Sequence, residues 1–268
     1  MREDRDEETI NAKLKLFSSM FSSLLIKLLI IVNKIIIWLQ KNVNNKFDSG
    51  IMTKNQSRKE KNMTEFYIVR HGRTFANAAG LKQGTINTPQ TYLTDEGRAQ
   101  AQLLAQNFDL RDFDALYVSP LERTKQTAAI LNEEAQLPVI EDKRLLEISY
   151  GDWDGQSNAD LMNQYPELFS TFVKDVRPEY AAVAHGETFE HVEKRVQDFI
   201  KDVTAQYPDE RVVVVTHGFT VRSFAASATH APGLTILEPE NCSVTKLIVE
   251  PTTLEQHLIY YNRSTQGF

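Results

Sequence analysis

Two histidines and two arginines follow apolar segments of the sequence, at points where their side chains could act on one ligand. Arg70 and His71 come directly after the first segment, and His217 comes directly after the third. Ser119 follows the second segment, and Arg123 stands four residues later. The three segments are 66–69, 113–118 and 211–216. Because the planar guanidinium group binds two phosphoryl oxygens at once, we expect these residues to bind a phosphate monoester.

The three apolar segments are predicted to be strands of one sheet. Arg211-Val212-Val213-Val214-Val215 is a continuous β-branched run, which is typical of a strand buried on both faces in a parallel sheet. Ligands of open α/β sheets bind outside the carboxyl ends of the strands. We therefore predict that the polar residues after the three strands share one crevice.

Helices are predicted between these strands. Ser119-Pro120-Leu121-Glu122 has the form of a capping box with proline at the first helical position, and it predicts a helix that runs to about Glu134. Arg123 would then lie in the first turn, where the helix dipole adds positive potential. Thr94 and Thr188 are predicted to begin two further helices.

The end of the chain completes the predicted fold. A helical segment is expected from about Phe219, and segments 244–249 and 257–261 are predicted to be closing strands that form a terminal pair. Segment 158–184 should cap the pocket, with its aromatic residues forming either an apolar substrate wall or part of the core. The predicted fold class is α/β, a single three-layer domain with a mostly parallel sheet and helices on both faces.

Charge divides the chain into two parts. Residues 1–62 carry 12 Lys and Arg against 7 Asp and Glu, a net charge of +5, whereas residues 63–268 carry 18 against 29, a net charge of −11. A body this acidic excludes a general nucleic-acid binder, because phosphate backbones require clustered cations. The single cysteine, Cys242, excludes an internal disulfide framework and a multi-cysteine zinc site. Neither a Gly-x-Gly-x-x-Gly nor a Walker-type loop is present.

Residues 1–62 have three interpretations, namely a disordered extension, a membrane-associating helix and a misassigned start. Four lysines separated by multiples of seven would form one basic stripe on an interfacial membrane helix. They are Lys13, Lys27, Lys34 and Lys41. Alternatively Met63 is the true start, because Arg58-Lys59-Glu60 can be encoded by a purine-rich ribosome-binding sequence. We favour Met63 as the true start. We also expect a cytoplasmic protein, because the acidic residues after Met1 are unlike a secretory signal peptide.

An ordered set of motifs resembles the signatures of the histidine phosphatase superfamily, the phosphoglycerate mutase-like proteins. The first is Val69-Arg70-His71-Gly72 with Thr74 and Asn77, and the resemblance covers roughly residues 64–262. The further matches, in chain order, are Leu93–Gly97, Ser119–Thr124, Leu146–Ile148 with Gly151, Trp153 and Gly155, Gly186–Thr188, Val215–Gly218 and Asn241–Ser243. This resemblance implies a phosphoglycerate mutase-like fold for residues 63–268 as the catalytic domain.

The resemblance also implies the roles of individual residues. The implied catalytic residues are His71, Glu147 and His217, and the implied phosphate-binding residues are Arg70, Asn77, Arg123 and Gly218. His71 would attack phosphorus and become a phosphohistidine, with its other ring nitrogen bonded to a backbone carbonyl. Glu147 would protonate the leaving oxygen and then take a proton from the hydrolytic water, a role that needs a raised pKa.

The expected function is that of a metal-independent phosphomonoesterase acting on a small phosphorylated metabolite, with no cofactor. The alternative is a 2,3-bisphosphoglycerate-dependent phosphoglycerate mutase, and a non-catalytic phospho-ligand binding module is an alternative of another class. The 206 residues from Met63 are fewer than the mutases have. The mutases also have a basic substrate-binding segment in mid-chain, whereas this chain has only Lys174 and Arg177 as basic residues between Trp153 and Gly186.

Arg73 departs from the family's usual Glu or Gln and would add a cation at the pocket rim. A homodimer is compatible with the sequence, and membrane contact would require residues 1–62.

Overall fold

A six-stranded sheet forms the centre of the part of the chain that the computed structural model describes, residues 63–265. Its strands are β1 (Thr64–Arg70), β2 (Ala115–Val118), β3 (Val139–Glu141), β4 (Arg211–Thr216), β5 (Val244–Val249) and β6 (Gln256–Arg263). The strand order is β3-β2-β4-β1-β5-β6. The first four strands are mutually parallel, and β5 and β6 form an antiparallel terminal pair. The predicted sheet is thus confirmed, including the closing pair.

Seven α-helices accompany the sheet in this part of the chain. They are α1 (Phe75–Ala78), α2 (Asp95–Asn107), α3 (Glu122–Leu131), α4 (Asn158–Gln164), α5 (Tyr180–Ala184), α6 (Phe189–Gln206) and α7 (Gly218–Thr229). Single 3₁₀ turns lie at Pro89–Thr91, Leu110–Asp112, Lys143–Leu145, Gly151–Trp153, Pro166–Leu168 and Gly233–Thr235. The predicted starts at Thr94 and Thr188 are confirmed, because each hydroxyl accepts the backbone N–H of the third residue that follows.

The predicted capping box before α3 is wrong. The helix begins at Glu122 and ends at Leu131 rather than near Glu134, and the hydroxyl of Ser119 does not cap it. The Glu122 N–H donates instead to the side-chain oxygen of Asn87, 2.9 Å away. Ser119 Oγ lies 2.7 Å from Nε2 of the buried His217. A buried imidazole needs a hydrogen-bond partner more than an accessible helix end does, because water can satisfy the helix end.

Two apolar cores lie on the two faces of the sheet. Along β4, Val212 and Val214 join the core beneath α6 and α7, whereas Val213 and Val215 join the core beneath α2 and α3. Because apolar cores cover both faces of β4, successive residues of the strand are all buried, and this accounts for the continuous β-branched run. The predicted three-layer α/β architecture is confirmed.

The aromatic residues of segment 158–184 pack mainly into the core. Trp153 lies with ring centroids 5.1 Å from Tyr165, 5.9 Å from Phe169 and 5.9 Å from Tyr180. Phe172 is 87% exposed. Of the two interpretations of these rings, core packing accounts for the three that surround Trp153.

Within residues 63–265, no helix has both the length and the apolar character that crossing a membrane requires. The three interpretations of residues 1–62 concern residues outside the described part of the chain.

Candidate active site

The ends of three parallel strands bring the predicted site residues together. His71 follows β1, Ser119 follows β2, and His217 follows β4. The two imidazole rings have centroids 5.3 Å apart and are both almost fully buried. The backbone N–H of His71 donates to the carbonyl of Thr216, the last residue of β4, at 3.0 Å. The predicted convergence of these side chains at the carboxyl ends of the three strands is therefore confirmed.

The ring of His71 is oriented by its own backbone. Nδ1 lies 2.8 Å from the carbonyl oxygen of Gly72. A carbonyl only accepts, so Nδ1 carries the proton and Nε2 retains its lone pair. Burial, together with the charges of Arg123 and Arg70, lowers the pKa of His71 well below its ordinary value. His71 is therefore a neutral imidazole near pH 7, the state in which it can act as a nucleophile.

The loop that carries His71 is held from several sides. The Gly72 N–H donates to Thr127 Oγ1 of α3 at 3.0 Å, and the Asn241 side-chain amide donates to the His71 carbonyl at 2.8 Å. A Cβ on Gly72 would lie 2.4 Å from the carbonyl oxygen of Gly97 in α2, so the glycine permits a close backbone approach. Thr127 has no motif of its own, and sequence reasoning missed it.

His217 is oriented by two neighbours. Its Nδ1 accepts the Nε–H of Arg123 at 3.1 Å, and its Nε2 lies 2.7 Å from Ser119 Oγ. Because a guanidinium only donates, Nδ1 is the unprotonated nitrogen and Nε2 carries the proton. Burial, followed by the charge of Arg123, lowers the pKa of His217 well below its ordinary value. This second histidine is therefore also neutral.

Arg123 is a buried cation at the start of α3. It is only 1% exposed, and it donates to the carbonyls of Gly84 at 2.7 Å and Ile86 at 3.0 Å. Burial lowers the pKa of Arg123 to about 10, so the side chain stays charged at neutral pH. The predicted position in the first helical turn is confirmed.

Arg70 is almost fully buried and paired with an acid that sequence reasoning did not identify. Nη2 lies 2.5 Å from Glu238 Oε1, and Nη1 donates to the carbonyl of Pro239. Nε is buried and has no hydrogen-bond partner. No local signal marks Glu238, because it stands in an irregular segment far from Arg70 in sequence.

Glu147 lies against the N-terminus of α7. Its oxygens accept the backbone N–H groups of Ile148 at 3.0 Å, Phe219 at 3.2 Å and Thr220 at 3.3 Å. Burial raises the pKa of Glu147; the charge of Arg123 opposes this effect and that of Glu238 adds to it. Glu147 therefore keeps its proton to a higher pH than an ordinary glutamate does.

The two remaining predicted phosphate-binding residues, Asn77 and Gly218, lie close to groups that Arg70 contacts or to its cavity. The side-chain oxygen of Asn77 accepts from the N–H and the hydroxyl of Thr74 at 3.1 and 3.0 Å, which leaves its amide N–H groups for a ligand. Asn77 and Arg70 also line part of a cavity of about 420 Å³. Gly218 is the first residue of α7, and a Cβ there would lie 2.5 Å from Glu238 Oε1.

The expected rim cation is compensated. Nη1 of Arg73 donates to both carboxylate oxygens of Glu96 at 3.0 Å, in a partly exposed ion pair. Arg73 lines the same cavity as Arg70 and Asn77, so it lies at the rim as expected, with its charge partly balanced by Glu96. Among residues 63–265, no group of three or more His, Cys, Asp or Glu side chains could hold a metal ion.

Comparisons with known proteins agree with the motifs. The family model of the histidine phosphatase superfamily (branch 1) matches residues 66–262. Phosphoserine phosphatase 1 of Hydrogenobacter thermophilus is 34% identical over 161 residues, which are 60% of this chain and 74% of that protein. The adenosylcobalamin/alpha-ribazole phosphatase of Escherichia coli is 34% identical over 151 residues, covering 56% of this chain and 72% of that protein. A solved mycobacterial glucosyl-3-phosphoglycerate phosphatase, in complex with VO3, has a TM-score of 0.63 at 26% identity and covers 75% of this chain and 99% of its own.

Proposed function

The chain belongs to the histidine phosphatase superfamily and is a phosphatase, and we propose that it is a metal-independent phosphomonoesterase acting through a phosphohistidine at His71. The observation that carries this proposal is the state of His71, a buried neutral imidazole whose Nδ1 is bonded to a carbonyl. Its unprotonated Nε2 is the nucleophile. Arg70 and Arg123 supply the positive charge that a phosphoryl group needs in the transition state, without a metal ion.

The reaction has two steps. In the first, Nε2 of His71 forms a bond to phosphorus as the bond from phosphorus to the ester oxygen breaks, and Glu147 gives its proton to that oxygen. In the second, water attacks the phosphohistidine and passes a proton to the Glu147 carboxylate, which releases phosphate and restores both side chains. The raised pKa of Glu147 supports its role as the acid of the first step.

The substrate of this proposal is a small phosphorylated metabolite. The relatives named above are phosphatases of phosphoserine, of adenosylcobalamin/alpha-ribazole and of glucosyl-3-phosphoglycerate. Each of these names refers to a phosphorylated small organic molecule. A phosphate ester is the group that two buried arginines and a nucleophilic histidine would recognise.

Phosphate release by the full chain tests the proposal. We expect wild-type protein to hydrolyse members of a panel of phosphate monoesters equally well with and without EDTA. His71→Ala should lower kcat/KM by roughly 10³-fold or more at an unchanged melting temperature, because the nucleophile is lost. His257→Ala, at a half-exposed histidine of β6, is the matched control and should retain full activity.

Four outcomes would contradict the proposal in different ways. Wild-type-like turnover by His71→Ala would refute the nucleophile, and loss of activity in EDTA would refute metal independence. Phosphoryl transfer that depends on 2,3-bisphosphoglycerate, without phosphate release, would identify the mutase alternative. A folded protein that binds phosphate esters and turns over none would identify the binding module.

A further inference from the structure

A carboxylate is paired with one of the proposed phosphate-binding arginines. Glu238 Oε1 lies 2.5 Å from Nη2 of Arg70, and the Glu238 side chain is 50% exposed. The same oxygen occupies space that a side chain at position 218 would need, since a Cβ on Gly218 would lie 2.5 Å from it. Glu238 thus brings a negative charge to the mouth of a site that is expected to bind an anion.

Arg70 shows how this carboxylate and a phosphoryl group can be bound together. Its two terminal nitrogens bond to one short segment, Nη2 to Glu238 and Nη1 to the carbonyl of Pro239. Its Nε is buried and has no hydrogen-bond partner, which is costly unless a ligand accepts from it. The guanidinium therefore offers its Nε–H to a phosphoryl oxygen beside the Nη2 group that binds Glu238. The Glu238 carboxylate and the bound phosphoryl group would then contact the same guanidinium group, so the distance between them would be no more than the width of that group.

Glu238 also acts on the side of the pocket from which the alcohol leaves. In an in-line displacement the leaving oxygen lies opposite the attacking His71, next to the proton donor Glu147. Glu238 Oε1 lies against Gly218, and the next residue, Phe219, donates its backbone N–H to Glu147 at 3.2 Å, so the Glu238 carboxylate is close to the proton donor. Its negative charge accordingly adds to the raised pKa of Glu147. Substituents next to the ester oxygen would therefore meet this charge.

We propose, on the basis of the function proposed above, that Glu238 is a specificity-determining residue that selects the charge of the leaving group. It favours esters that carry an uncharged or cationic group close to the ester oxygen, and it disfavours a carboxylate or a second phosphate there. The physical reason is like-charge repulsion within a partly desolvated pocket, which discriminates against a partner more strongly than a lost contact would.

Three esters of similar length and different charge test this selection. They are 2-aminoethyl phosphate, 2-hydroxyethyl phosphate and carboxymethyl phosphate, and the readout is the ratio of kcat/KM for the first to that for the third. We expect Glu238→Gln to lower this ratio roughly tenfold, because the amide keeps the size of the side chain and removes its charge. Glu238→Asp keeps the charge and should keep the preference for the cationic ester.

Glu134→Gln is the control. It removes the same charge at an exposed glutamate that follows the end of α3 and does not line the cavity that contains Arg70 and Asn77. Its ratio should equal that of the wild type. If Glu238 only positions Arg70, Glu238→Gln will slow all three esters equally, and that result would overturn the proposal.

Three further results would also count against it. An equal change of the ratio in Glu238→Gln and Glu134→Gln would mean that only the overall surface charge acts. An active wild type with an unchanged ratio in Glu238→Gln would refute this inference alone. A wild type that hydrolyses none of the three esters and no nitrophenyl phosphate would refute the proposed function and, with it, this inference.

Discussion

At His71 and Glu147, one physical cause acts in opposite directions. Burial disfavours the charged form of any group, so it lowers the pKa of the histidine and raises that of the carboxylic acid. Burial thereby favours the neutral form of each group, which suits one for the role of nucleophile and the other for the role of proton donor. Environments that separate two pKa values in this way are what assign acid and base roles in an active site.

The pH dependence of hydrolysis should report both groups. Activity requires neutral His71, so it is lost as pH falls through the lowered pKa of His71. It also requires protonated Glu147, so it is lost as pH rises through the raised pKa of Glu147. We expect Glu147→Gln to remove the alkaline limb of the kcat/KM profile and to slow esters of poor leaving groups by roughly 10²–10⁴-fold, with much less effect on nitrophenyl phosphate.

Parallel pH profiles with the two kinds of ester provide the measurement. Glu193→Gln is the control, since the pKa of Glu193 is also raised, by burial and by the charge of Glu190, but this residue lies on α6 outside the site. Equal slowing of both kinds of ester by Glu147→Gln would argue that Glu147 is not the acid.

The helices of this domain orient site residues through their N-terminal turns. The first turn of α7 donates backbone N–H groups to Glu147, and the first turn of α3 carries Arg123. Helix α2 contributes by close packing, because its Gly97 lies against the backbone of the loop that follows β1. The position of His71 therefore depends on helix placement as well as on the strand that it follows.

Gly97→Ala should separate local helix preference from this packing. Helix propensity alone predicts that alanine stabilises α2 by about 1 kcal/mol. A Cβ at this position would lie 2.0 Å from the carbonyl oxygen of Arg73 and 2.8 Å from its nitrogen, so backbone must move. We expect a net loss of about 1–3 kcal/mol in the free energy of unfolding, measured in urea, together with lower kcat/KM.

Gln102→Ala provides the comparison within the same helix. Gln102 is exposed, and its substitution should leave both the free energy of unfolding and kcat/KM close to wild type. A Gly97→Ala protein that is more stable than wild type and fully active would show that the loop adapts to α2 at no cost.

A buried ion triad joins distant parts of the molecule. Asp175, from the segment that was predicted to cap the pocket, binds Lys82 at 2.8 Å and Arg222 of α7 at 2.7 Å. All three side chains are nearly inaccessible, with exposures of 6% or less for the two cations and 12% for the carboxylate. Burial by itself would raise the pKa of Asp175, but the charges of Lys82 and Arg222 outweigh it and bring the value to about 2.

Asp175→Asn should destabilise the whole domain, because two buried cations lose their counter-charge. We expect a loss of roughly 3–5 kcal/mol in the free energy of unfolding near neutral pH. The pKa of Asp175 is lower in the folded state than in the unfolded state, so its contribution is fully present above the ordinary aspartate pKa. This contribution declines as pH falls toward about 2.

Urea unfolding of wild type and variant between neutral and acidic pH measures this difference. Asp198→Asn, at an aspartate paired with the exposed Lys194 on α6, should change stability little at any pH. A difference between wild type and Asp175→Asn that does not shrink in acid would show that the carboxylate charge is not what stabilises the triad.

The motifs and the strand pattern were sufficient to predict the meeting of His71, His217, Arg70 and Arg123. Parallel strands that run in the same direction end at the same edge of a sheet, so residues that follow them must converge wherever they stand in the chain. Hydrophobic period and β-branching carry that information locally. The same local signals predicted the helix starts at Thr94 and Thr188, because a cap and its partner are only three residues apart.

The specific hydrogen bonds and ion pairs between side chains far apart in the chain carry no such signal. Ser119 reads as a helix cap, yet its partner is His217, 98 residues away. Glu238 at Arg70 and Asp175 between Lys82 and Arg222 are likewise set by which segments the fold packs together. A buried polar group must find a partner among whatever side chains surround it, and only the packed chain defines those surroundings.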